Sequence, residues 1–203
     1  NRPGVQLSEI TQTIPGLVAR DRQNYAQDLQ ISSRGFGARS AFGIRGIKLL
    51  ADGVPLSNPD GQGQAATFDL DTLERIEVLK GPQGTLFGKN TSAGVINVIT
   101  RRPSYTQALE GEVTVGNYGL VGVSGSYNDA LSDNAAFRIF ATKRSRDGVD
   151  DVARGGGPRR ESDDGDQNYH SLRGQLLLEP SEALDINFIA DYTSREENCC
   201  VTV

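Results

Sequence analysis

The sequence predicts an α+β unit followed by the antiparallel strands of a transmembrane β-barrel, of which only the first part of the wall is present. Three observations carry this. The opening half mixes short strand-like pieces with long glycine-rich connections, and glycine reaches 24 of 203 residues, well above the usual ~7%. From about Leu109 apolar and polar residues alternate with period two through successive segments, the pattern of strands with two unlike faces. After a first tight turn the connections between those segments run short, long, short, as in barrels whose turns are short on one side of an outer membrane and long on the other.

The α+β unit is expected to run to about residue 104. Val5, Leu7, Ile10 and Ile14 are spaced for one face of a short helix, with Ser8 as its N-cap. Pro15 ends that helix, since its ring cannot continue one. Strands are expected at Leu29 to Ser33, Ile47 to Ala51, Arg75 to Lys80 and Val95 to Thr100, each bounded by glycine. The connections RGFGARSAFGIRG, from Arg34, and LSNPDGQGQAAT, from Leu56, are polar and long, so they read as surface loops that carry contacts.

From residue 105 the wall is expected. Gly111, Val113 and Val115 mark a first strand within Leu109 to Tyr118, and Val121, Val123, Gly125 and Tyr127 a second within Leu120 to Asn128. A third, Ala135 to Arg144, sets Phe137, Ile139 and Ala141 against Arg138, Phe140, Thr142 and Arg144. Ser171 to Glu179 sets Leu172, Gly174, Leu176 and Leu178 against Ser171, Arg173, Gln175 and Glu179. The last, Leu184 to Tyr192, sets Leu184, Ile186, Phe188, Ala190 and Tyr192 against Asp185, Asn187, Ile189 and Asp191. Tight turns are expected at Tyr118-Gly119, Leu131 to Asn134 and Pro180 to Ala183, with a long loop from Arg146 to Gln167. A soluble sandwich gives the same alternation, and the loop rhythm favours the barrel. Five strands cannot close a barrel, which needs about eight, so the sheet is expected to continue past Val203 and the chain to be a piece of a longer one.

Composition removes other classes. Lys+Arg 21 against Asp+Glu 26 gives a net charge of -5, and without a positive field no nucleic-acid partner is expected. No run is long and apolar enough for a membrane-spanning helix. Cys199 and Cys200 are adjacent and His170 is the single histidine, which supplies neither a disulfide framework nor a metal site. An oxidising exterior would let the two cysteines bond each other or pair elsewhere. GTLFGKNT, from Gly84, approaches a phosphate loop, but is one residue short and carries Asn90 where a hydroxyl should hold magnesium. Gly61, Gly63 and Ala66 imitate a dinucleotide fingerprint without its strand and helix. Asn90-Thr91-Ser92 is formally a glycosylation sequon. The acidic loop from Asp147 to Asp166 lacks calcium-loop spacing and reads as solvated. No nucleophile, base or carboxylate pair is arranged for catalysis, so no enzyme activity, no cofactor and no metal is expected.

One stretch is more specific. Leu73 to Thr100 reads LERIEVLKGPQGTLFGKNTSAGVINVIT, preceded by the Pro15 to Leu17 stop, RGFG at Arg34 to Gly37 and DGVP at Asp52 to Pro55. In order and spacing these pieces resemble the plug domain of TonB-dependent outer-membrane receptors, over about residues 5 to 103. The strands that follow resemble the start of that family's 22-stranded barrel. The resemblance implies a receptor in the outer membrane of a Gram-negative bacterium, bathed by membrane lipid and energised by TonB through a box that would precede Asn1. It implies uptake of a scarce small molecule, most often an iron-siderophore complex, bound by the plug apices. By loop position the expected contacts are Arg39, Ser40, Phe42, Asn58, Asp60, Gln62 and Gln64. Arg34 and Lys80 stand where family members place cations that meet barrel carboxylates, and Lys80 in place of the common Arg would forfeit bidentate geometry. The alternative from the residues alone is a surface adhesin or sandwich-type binding module.

Overall fold

The computed structural model describes residues 14–20, 29–38, 43–58, 60–63, 70–148, 150–151 and 163–198. The expected helix over residues 5 to 14, with Ser8, lies almost wholly outside them, as do Cys199 and Cys200. The chain divides into two compact units, Asn1–Arg101 and Arg102–Val203, a boundary a few residues before the expected one.

The first unit contains β1 (Leu17–Arg20), β2 (Gln30–Ser33), β3 (Ile47–Ala51), β4 (Val54–Pro55), β5 (Leu73–Lys80), a one-turn helix α1 (Gly84–Phe87) and β6 (Gly94–Thr100). β1 and β2 form an antiparallel ribbon, and the remaining strands form a sheet in the order β4-β3-β6-β5. At its centre β3 and β6 run parallel, with Ile47 opposite Gly94 and Leu49 opposite Ile96. Parallel strands are covered on both faces and so read as near-continuous apolar runs, which is why GVINVIT was legible as a strand. Ile47, Leu49, Ile96 and Val98 on one face pack with Leu17, Leu29, Ile31, Ile44 and Ala93 into the core. The opposite face buries Leu50 and Val95 as well.

Side chains pin the ends of this sheet. Asp52, in the β3–β4 turn, accepts from the Thr100 amide and hydroxyl, each at 2.8 Å. Asn97 accepts from the Gly53 amide at 3.2 Å and donates to Glu77 at 3.3 Å. The DGVP turn is thereby fastened to the end of β6 and through Asn97 to β5. α1 forms over the segment that only approached a phosphate loop in sequence, and the Lys48 ammonium from β3 donates to the Phe87 carbonyl at its C-terminus at 2.6 Å, a cation placed where unpaired carbonyls gather.

The second unit is one five-stranded antiparallel sheet, ordered β13-β12-β9-β8-β7, from β7 (Ala108–Val115), β8 (Val121–Ser132), β9 (Ala135–Arg146), β12 (Gln167–Ser181) and β13 (Leu184–Arg195). Every expected strand is present, most of them longer than the alternation alone marked. The long loop between β9 and β12 carries a further two-residue ladder, β10 (Asp150–Asp151) with β11 (Asp163–Asp164).

The polarity of this sheet is the reverse of a soluble one. Leu109, Val115 and Phe188 on the apolar face are 82%, 75% and 57% exposed, whereas Ser126, Asn128 and Arg144 on the polar face are 7%, 1% and 5% exposed. The polar face is bonded internally: Arg138 reaches Glu110 at 2.9 Å and Ser126 at 2.8 Å, and Arg173 reaches Asp191 at 3.1 Å. The Arg195 guanidinium lies 4.6 Å from the Tyr169 ring centroid.

The segment Arg102–Gln107 straps the end of this sheet that carries the short turns. Arg102 makes a forked bond to Asp185 at 2.6 and 2.7 Å, Tyr105 donates to Glu179, and Gln107 donates to Tyr127 and Asp129. Asn128 accepts from the Ser104 amide and donates to the carbonyls of Ser104 and Thr106.

Candidate functional site

In the first unit, β3 and β6 start at the same end of the sheet and β5 finishes there, so the connections before β3, after β4 and between β5 and β6 converge on that end. The backbone ties them together. Ile44 and Gly63 exchange both hydrogen bonds, at 2.9 and 2.8 Å, and the Asn58 amide donates to Gln62 at 2.8 Å. Ile44 is fully buried, so an apolar anchor fixes a loop whose neighbours are polar.

Asn58, Asp60 and Gln62 all stand on this loop. Gly61 donates to the Asn58 carbonyl at 2.9 Å, closing a tight turn, and Asp60 accepts from the Gln62 amide at 3.0 Å, a local bond typical of Asp in turns. Gly61 has φ +87, and a Cβ there would lie 2.7 Å from Asn90 Oδ1; the loop therefore rests directly on the segment that precedes β6. Arg39, Ser40, Phe42 and Gln64 lie outside the described residues.

The structure adds one residue that loop position had not singled out. Arg45 places a guanidinium nitrogen 3.8 Å from Asp60, both side chains more than half exposed. Its signal in the sequence was a cation between two glycines, Gly43 and Gly46, inside a loop already expected to carry contacts. A surface ion pair of this kind contributes little stability, ~0–1 kcal/mol, and both side chains keep polar atoms open to solvent.

Arg34 and Lys80 come to one place. The Arg34 amide donates to the Gly16 carbonyl at 2.8 Å, and the Lys80 ammonium donates to the Pro15 carbonyl at 3.2 Å. Within the first unit both fasten the Pro15-Gly16 turn. Among the described residues no group of three His, Cys, Asp or Glu could hold a metal ion. No helix among them is long and apolar enough to cross a membrane, which leaves the exposed apolar sheet face as the surface on which a membrane reading rests.

Residues 1–95 match the family model described as the TonB-dependent receptor plug domain. The ferrioxamine receptor of Yersinia enterocolitica is 32% identical over 139 residues, covering 68% of this chain and 17% of that protein. The iron-regulated outer membrane virulence protein of Vibrio cholerae is 27% identical over 201 residues, covering 95% of this chain and 29% of that protein. The chain thus spans less than a third of the length of either relative. Among solved structures, the ferric yersiniabactin uptake receptor of Yersinia pestis superposes with a TM-score of 0.75 at 25% identity, over 92% of this chain and 28% of that one. The pyoverdine outer membrane receptor of Pseudomonas aeruginosa, bound to pyoverdine, gives 0.71 at 19%, over 93% of this chain and 25% of that one, a likeness of fold.

Proposed function

The chain belongs to the TonB-dependent receptors, with their plug domain in its first half and antiparallel wall strands in its second, and from this premise we propose that it serves energised uptake of an iron-siderophore complex across the outer membrane of a Gram-negative bacterium. The observation that carries the reading is the reversed polarity of the five-stranded sheet. An apolar face left exposed beside a polar face that is buried along the central strands β8, β9 and β12 suits a wall between lipid and a filled lumen, whereas a sandwich module buries its apolar face and wets the other. The relatives named for ferrioxamine and ferric yersiniabactin support a ferric chelate as the cargo.

In this reading the chemistry is binding, with no bond made or broken by the protein. Asn58, Asp60, Gln62 and Arg45 offer amide, carboxylate and guanidinium groups on one rigid loop pair, joined in the proposal by Arg39, Ser40, Phe42 and Gln64. The assignment of Arg34 and Lys80 to contacts with the complete barrel is likewise a proposal, as is coupling to TonB. The test is uptake of radiolabelled ferric ferrioxamine, yersiniabactin and pyoverdine by cells with and without the gene, in the presence and absence of TonB. Gene- and TonB-dependent uptake of one chelate is the expected result; a polypeptide found in the soluble fraction would overturn the reading. With the cargo identified, Asp60→Asn together with Gln62→Ala is expected to weaken binding about tenfold, roughly the 1.4 kcal/mol of one good polar contact, and leave insertion unchanged. Unaltered affinity would remove these residues from the site.

A further inference from the structure

On β9, β12 and β13 the outward face changes character at one row. Ala141, Leu172 and Tyr192 lie opposite one another across the three strands, and the next outward row is Lys143, His170 and Ser194. Beyond it Ser145 faces Asn168. The change is abrupt. Along β13 the outward apolar set runs from Leu184 to Tyr192; at ~3.3 Å per residue this is about 26 Å of strand, or about 20 Å of height at the usual tilt. That approaches the roughly 25 Å apolar band of an outer-membrane barrel. The row holding Lys143 and His170 is therefore at the edge of the band, toward the end that carries the long loop, which in such barrels is the outer side.

Resting on the barrel reading above, we propose that Lys143 and His170 form a docking point for an anionic, phosphate-bearing lipid headgroup of the outer leaflet. The two are register partners on neighbouring strands, with Cβ atoms about 5 Å apart, so an ammonium and a ring N–H can reach the oxygens of one phosphate. Both are exposed. Their outward neighbours Val123, Ser145, Leu172 and Ser194 supply no carboxylate, and no ion pair of Lys143 is present among the described residues. A cation facing lipid is costly at the bilayer centre and cheap at the interface, where its flexible stem carries the charge to the headgroups. Tyr192, one row inside, lies with its ring centroid 6.0 Å from that of His170, the amphipathic ring expected at this level.

The experiment is thermal unfolding of the full-length receptor in phosphatidylcholine vesicles with and without phosphatidylglycerol. Wild type is expected to melt higher when the anionic lipid is present, because a ligand that binds only the folded state raises stability. Lys143→Gln with His170→Gln is expected to lose most of that shift, and Lys143→Arg to retain it. An equal shift in wild type and the double variant overturns the proposal. A variant-sensitive shift reproduced by inorganic phosphate in phosphatidylcholine alone also overturns it, since the site would then bind a free anion. Failure of the wild-type receptor to insert into either vesicle would instead count against the barrel reading.

Discussion

Gly94 begins β6 opposite Lys80, and the Leu79 carbonyl oxygen lies 2.3 Å from where a Cβ would stand, at φ +146. Neither the backbone oxygen nor the conformation can yield cheaply, so Gly94→Ala is expected to destabilise the first unit by about 3 kcal/mol or more. Urea unfolding of the receptor, followed with a probe placed in that unit, checks this; a loss under about 1 kcal/mol would mean that the pairing of β5 and β6 adapts. Tyr105 makes a prediction of another kind. Its hydrogen bond to Glu179, reinforced by burial and by that carboxylate's charge, pushes the phenol up to about 12. A folded-state value raised above the unfolded one gives stability that is complete below pH ~10 and lost as pH rises through about 12. Ultraviolet titration should show a late phenol that Tyr105→Phe removes; a late titration left unchanged by the substitution would contradict the bond.

At the scale of elements, strands with a clear alternation or a continuous apolar run were legible, and those defined by pairing alone were not. β1, LVAR, has too few residues for a period and exists because Leu17 to Arg20 pair with Gln30 to Ser33. β4 is two residues ending in Pro55, tolerated because it lies at the sheet edge. α1 is a single turn, shorter than any helical periodicity, and is held by the Lys48 bond to Phe87. For the wall, the alternation sets a test of which face meets lipid. Leu176, outward in the row with Phe137 and Phe188, lies inside the apolar band, while Ser145 lies past its edge. Leu176→Arg is expected to cost about 2–4 kcal/mol and Ser145→Arg about 0–1 kcal/mol, read from unfolding in lipid vesicles. Equal costs would remove the lipid-facing assignment.

For the molecule as a whole, the boundary between units falls at Arg101 and Arg102, and the segment after it belongs to the wall by its bonds. Asn128, 1% exposed, satisfies the Ser104 amide and the carbonyls of Ser104 and Thr106. Asn128→Ala should therefore cost about 1–2 kcal/mol through the hydrogen bonds it removes, and in hydrogen exchange the Ser104 amide should lose protection while amides of the first unit keep theirs. Exchange at Ser104 unchanged by the substitution would contradict this strap. The sequence by itself marked the fold class, the family resemblance and which side chains of each strand share a face, because alternation, apolar runs and an ordered set of motifs are local properties of a chain. It marked loops as candidates for binding, yet it could not set Arg45 beside Asp60, rest Gly61 on Asn90 or bring Lys143 next to His170. Those contacts join residues far apart in the chain, and only strand register and the convergence of loops on one sheet end decide them.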